Sequence, residues 1–134
     1  MVFFGEYEVS FSGTARIILP KKIRALLKGN TFILAKGADN CLAGYDKDNW
    51  ESRTKELTDS SLLEETYADK KRFIFSSIVF LEIDEQGRFV IPKNLLQYAN
   101  LSGKATIIGV GDHFEIWDPE KWHVYLKQIH PAGG

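Results

Sequence analysis

The side chains best placed to do chemistry in this sequence are cationic. Between Val9 and Ala38 the chain carries Arg16, Lys21, Lys22, Arg24, Lys28 and Lys36, and no Asp or Glu. The 134-residue chain has a net charge of −1, so its other 11 bases face all 18 acids, a balance of −7 outside this segment. A local basic field can attract a polyanion even when the total charge is near zero. A guanidinium can donate two parallel hydrogen bonds to a guanine edge in the major groove, or to a phosphate. Ammonium groups act mostly on phosphates, which supplies affinity and register. Arg16, Lys21, Lys22, Arg24 and Lys28 are therefore the leading candidates for contact with duplex DNA, with Thr14 on the preceding turn. A run of charges alone often means only a solvated face; the internal repeat and the Arg-strand-Pro context of Arg16 raise it above that.

Other chemistry finds little support. The single cysteine, Cys41, can form no internal disulfide and has no activating neighbour in sequence. His113, His123 and His130 share no ligand spacing with it, and Asp112-His113-Phe114-Glu115 matches no metal motif. Gly109-Val110-Gly111 lacks the third glycine of a dinucleotide loop, and a strand pattern, Phe114 to Trp117, follows it where a helix would be needed. Glu64-Glu65 and the pair Glu82 and Asp84 read as solvated or turn positions. No enzyme, catalytic residue, metal, cofactor or small-molecule substrate is expected. No apolar run approaches the roughly 20 residues of a membrane span, and Met1 to Tyr7 lacks a signal-peptide pattern. A cytoplasmic protein is the expectation, and a lone cysteine agrees with a reducing compartment.

The elements that must position the basic residues occur twice. A shift of 72 superimposes Phe3 on Phe75, Arg16 on Arg88, Pro20 on Pro92, Lys21 on Lys93, Gly37 on Gly109, Asp46 on Asp118 and Trp50 on Trp122, without a gap. Each copy follows one plan. Glu6 to Phe11 alternates polar and apolar, as a half-buried strand does. Ser12-Gly13-Thr14-Ala15 is a turn and Arg16 to Leu19 a second short strand. Pro20 suits the first position of a helix, on which Ile23, Leu26 and Leu27 recur at helical spacing up to Gly29. Thr31 to Lys36 and Cys41 to Tyr45 are further strands. Asp46 and Asp118 are expected to cap the following helices, whose apolar sides are marked by Trp50 and Leu57, and by Trp122, Tyr125, Leu126 and Ile129. The two tryptophans suit helix-to-sheet packing or a subunit interface. A further helix is expected from about Ser61 to Arg72, and a loose tail from Pro131 to Gly134.

The sequence resembles the MraZ family. Phe3-Phe4-Gly5-Glu6-Tyr7 is similar to the family's opening, and Asp84-Glu85-Gln86-Gly87-Arg88-Phe89-Val90-Ile91-Pro92 to its Asp-x-x-x-Arg signature with strand and proline. Gly109 to Asp118 is similar to its closing block. The resemblance implies an α+β fold in which two tandem AbrB-like swapped-hairpin units interlock as an intrachain pseudo-dimeric β-barrel with flanking helices. It further implies ring-shaped homo-oligomers and binding to short direct repeats in a promoter, usually that of the cell-division and cell-wall operon. Ser12 stands where the family has Asp, and Ala15 where Gly is usual.

These readings place one unit at residues 5–48, a helical linker at 49–76, a second unit at 77–120 and a C-terminal helix and tail at 121–134. Each unit is too small to stand alone, so the copies should pack together. In the second copy Arg88 and Lys93 are the matching contacts, and Asp84 and Gly87 shape the turn as Ser12 does in the first. From Leu81 to Val110 the charges cancel, so Arg88 either touches DNA or pairs with Asp84. The first copy is expected to dominate DNA contact. The expected function is sequence-specific, DNA-binding transcriptional regulation, most simply repression, on the nucleoid. The alternatives are an antitoxin-like module that binds a protein, or a structural assembly protein without DNA preference.

Overall fold

A computed structural model describes residues 2–59 and 65–131. The tail from Ala132, the side chain of Leu57 and the start of the helix expected from Ser61 lie outside what is described. The first repeat contributes β1 (Glu6–Ser10), β2 (Arg16–Ile18), α1 (Lys21–Arg24), β3 (Thr31–Lys36), β4 (Leu42–Tyr45) and α2 (Lys47–Asp59). A helix, α3 (Glu65–Phe75), leads to the second repeat: β5 (Val79–Glu82), β6 (Arg88–Val90), α4 (Lys93–Tyr98), β7 (Lys104–Gly109), β8 (Phe114–Trp117) and α5 (Pro119–Ile129).

The fold is α+β and antiparallel throughout. Six strands form one sheet in the order β1-β7-β8-β4-β3-β5, and β2 pairs with β6 in a separate ribbon. Exchanging the repeats reverses the sheet order and restores it, so the strand order is symmetric in the two copies. In the ribbon Ile17 faces Phe89, and in the large sheet Ala43 faces Glu115. Each repeat lends its first strand to the other: β1 lies on β7, and β5 lies on β3.

Three expectations are corrected. The barrel is not closed. β2 and β6, three residues each, pair with one another instead of bridging β1 to β5, so the large sheet keeps two edges. The repeat is not gapless in space. Ile33 pairs with Tyr45, and Thr106 with Trp117; the second members are 72 apart and the first 73. The five-residue connection from β3 to β4 and the four-residue one from β7 to β8 absorb the slip. Finally, α1 ends at Arg24. Pro20 caps it from an extended conformation (φ −55°, ψ 141°) instead of occupying its first turn. Shorter-range bonds from Leu26 N to Ile23 O and Leu27 N to Arg24 O then carry the chain toward Gly29, whose φ of +77° turns it into β3. At the second long helix, Asp118 behaves as expected: its carboxylate accepts from Lys121 N at 3.0 Å, and Pro119 opens α5.

The core lies between ribbon, short helices and the inner sheet face. Ile17, Leu19, Ile23, Phe32, Phe89, Ile91, Leu95 and Phe114 are all buried there. Phe32 touches Phe89 edge-on, ring centres 4.9 Å apart, and Phe114 at 5.7 Å, so the aromatic contacts cross between repeats. Phe114 fits because its strand partner is Gly44, where an added Cβ would come within 2.2 Å of the ring. On the outer face Trp50 packs on Tyr45 under α2, and Trp122 on Trp117 under α5. Strands β3, β4 and β7, covered on both faces, accordingly read as largely apolar runs rather than alternating ones, whereas β8 carries Glu115 in its middle.

Candidate nucleic-acid interface

Two three-residue strands can present only a few side chains, and alternation sorts them. Ile17 and Phe89 point into the core. Arg16, Ile18, Arg88 and Val90 form the outer face, Arg16 opposite Val90 and Ile18 opposite Arg88. Ile18 and Val90 are 45% and 49% exposed, an apolar strip between the two arginines. The period-two pattern of Arg16-Ile17-Ile18 carried that signal, although these two positions were not singled out from sequence. The ribbon is clamped at both ends across the repeats: Leu19 N donates to Gly87 O at 2.8 Å, and Ile91 N to Ala15 O at 3.0 Å. Two residues separate each ribbon strand from α1 or α4, which puts exposed Lys21, Lys22 and Lys93 next to the ribbon along the chain.

The two turns differ in electrostatics. In the second, Asp84 accepts from Gln86 N and Arg88 N, both at 2.9 Å, and from Arg88 Nε at 2.8 Å. The Arg88 amide, with its guanidinium and the Gln86 amide, holds the Asp84 carboxyl below its ordinary value. Gly87, at φ +84°, completes that turn. In the first turn Ser12 N donates to Arg16 O at 2.8 Å. Among the described residues neither the Ser12 hydroxyl nor the Arg16 guanidinium has a partner. The serine that replaces the expected acid therefore leaves Arg16 unpaired, with exposed Thr14 on the same turn and a shallow depression running from Ser12 to Arg16 beside Val90.

The remaining bases divide. Arg24 Nη2 donates to Glu85 O at 2.7 Å and its side chain lies over Gly87, so it fastens the other repeat's turn. Lys28 pairs with Asp48, whose hydrogen bond and charge raise its pKa. Lys36 lies over the rings of Phe73 and Tyr98, 5.0 and 5.2 Å from their centres. Of the eight candidate DNA contacts, Thr14, Arg16, Lys21, Lys22, Arg88 and Lys93 lie on the ribbon or next to it along the chain, and Arg24, Lys28 and Arg88 have intrachain partners.

Among the described residues, groups suited to catalysis are not brought together. Cys41 is buried, and burial, with the charges of Glu115 and Asp39, pushes its thiol pKa up, away from a nucleophilic thiolate. His113 bridges Asp112 and Glu115 and stacks on Tyr45. Among the described residues no group of three His, Cys, Asp or Glu could hold a metal ion, and no helix is long and apolar enough to cross a membrane.

Comparison with known proteins places this arrangement among relatives. A family model described as "MraZ protein, putative antitoxin-like" matches twice, over residues 2–73 and 74–133. A protein of Lactiplantibacillus plantarum named transcriptional regulator MraZ is 38% identical over 124 residues, 92% of this chain and 87% of its own. One of Acetivibrio thermocellus with the same name is 40% identical over 124 residues, covering 92% and 86%.

Proposed function

This chain belongs to the MraZ family, and from that membership we propose that it is a transcriptional regulator, not an enzyme, that grips duplex DNA with the outer face of its β2–β6 ribbon. The observation that carries the proposal is Arg16, exposed at the start of β2 and without an acidic partner among the described residues. A two-stranded ribbon fits the major groove. Arg16 is free to reach a base edge or phosphate there, while Lys21, Lys22 and Lys93 hold the backbone. Arg88 is a secondary contact, because an exposed ion pair such as that with Asp84 is worth about 0–1 kcal/mol and yields to a phosphate.

The finer reading belongs to the same proposal. The repeats act as swapped-hairpin units of an intrachain pseudo-dimer; the exchange of β1 and β5 between copies supports this. One ribbon offers few contacts, so a ring-shaped homo-oligomer on promoter direct repeats gains strength by effective concentration. The target is the cell-division and cell-wall operon, and the protein sits in the cytoplasm on the nucleoid.

The test is selection of bound fragments from random duplex DNA by the purified protein, with mass measured on the complexes and affinity followed against salt. Recovery of a repeated motif by a multimer, with affinity falling steeply as salt rises, supports the proposal. A protein that recovers no motif and ignores duplex DNA at low ionic strength defeats it.

A further inference from the structure

The two repeats carry an internal comparison on the outer face of the sheet. In the second repeat three rings close over it: Trp117 lies 5.2 Å from Trp122 and 5.0 Å from Tyr125, centre to centre. In the first repeat Tyr45 and Trp50 occupy the places of Trp117 and Trp122, 5.2 Å apart. The place of Tyr125, however, belongs to Arg53. Beside it lies a cavity of about 410 Å³ between α2, α3 and the sheet, lined by Tyr45, Trp50, Arg53, Lys70, Phe73 and His113 among others. Its outer wall is α3, which has no counterpart after α5 among the described residues.

We propose that this cavity binds a small aromatic acid, its ring taking the space that Tyr125 fills in the other repeat and its anionic group facing Arg53 and Lys70. Flat aromatic walls with a few convergent polar groups are the usual lining of a small-molecule site. The charges favour an anion. The two acids on the cavity wall, Asp112 and Glu115, are both engaged by His113, at 2.7 and 3.0 Å. Among the described residues Arg53 pairs with one acid, Glu56, at 3.3 Å, and its guanidinium also reaches the Tyr45 hydroxyl; Glu56 is 72% exposed, so that ion pair is weak and exchangeable. A guanidinium offers a carboxylate a two-pronged fit. Tyr45 and Trp50 are both buried, which holds the stacking surface in place. This inference does not depend on the reading of the ribbon.

Binding of 4-hydroxyphenylacetate to the full chain, by calorimetry and ligand-observed NMR, tests it. The expected dissociation constant is on the order of 1 mM, as ligand efficiency allows for a fragment of this size. p-Cresol, without the acid, and acetate, without the ring, should each bind about tenfold more weakly or worse. Arg53→Tyr should restore the ring cluster of the second repeat and abolish binding while keeping the fold. Arg53→Met keeps the aliphatic stem and should erase the preference for the acid over p-cresol. No saturable binding to the wild type, equal affinity for p-cresol, or full binding by the Arg53→Tyr protein would each overturn the proposal.

Discussion

Arg88 holds its guanidinium 2.8 Å from Asp84, whereas Arg16, at the equivalent position of the first repeat, faces the hydroxyl-bearing Ser12 and has no acidic partner among the described residues. The two arginines are thus chemically unequal although the ribbon is symmetric. Arg16→Ala should weaken specific DNA binding by about 1–3 kcal/mol, the worth of a bidentate base contact, and Arg88→Ala by less. Ser12→Asp should pair Arg16 as Asp84 pairs Arg88, and lower affinity without touching the core. Gel-shift titrations of the three proteins on one operator check the order; a larger loss from Arg88→Ala would reverse the assignment.

Arg24 belongs to the basic run but spends its guanidinium on Glu85 O. It should not count among the groups that neutralise phosphate. Arg24→Gln is expected to lower affinity by loosening the Asp84–Gly87 turn, while the slope of log affinity against log salt stays put. Lys22→Gln should instead reduce that slope by about 1, the signature of one lost phosphate contact. Measuring both slopes on the same duplex separates the two roles.

The legible and illegible parts of this molecule differ by the range of the interactions involved. The alternation of Glu6 to Ser10 and the Asp118-Pro119 helix start are local signals, and both elements formed where expected. The pairing of β2 with β6 joins residues some 70 positions apart, and three-residue strands carry no pattern that states a partner. The closed barrel was for that reason not decidable from spacing. Leu26 and Leu27 continue the helical spacing of Ile23, yet α1 ends at Arg24 and the next turn tightens, with Leu26 N bonded to Ile23 O and Leu27 N to Arg24 O. At the site, the basic segment was visible as composition. The partners of Arg24 and Lys28 lie 61 and 20 residues away and were not.

Gly44 is a strand residue whose role is to leave room. An alanine methyl would meet the Phe114 ring at 2.2 to 2.7 Å, and Phe114 is locked between Phe3 and Phe32. Gly44→Ala should cost about 1–3 kcal/mol, the range for overpacked cores, despite the higher strand preference of alanine. Denaturant unfolding measures the loss. Gly44→Ala combined with Phe114→Leu should recover part of it, since the smaller side chain vacates the contact.

His113 is the group through which pH should reach the fold. Burial disfavours its charged form, but hydrogen bonds to Glu115 and Asp112, backed by their charges, outweigh that and raise its pKa above the ordinary 6.5. The groups around it are Asp112, Glu115, the stacked Tyr45 ring, Trp117, whose Nε1 donates to Glu115 at 2.9 Å, and Cys41, whose thiol feels Glu115. A raised folded-state pKa means that the folded protein binds the proton more tightly than the unfolded chain. The contribution to stability is therefore complete below pH 6.5 and fades as pH rises through the higher folded value. Unfolding free energy measured across that window should decline with pH in the wild type. His113→Gln, which cannot gain the proton, should flatten that decline; an unchanged decline would assign it to another group.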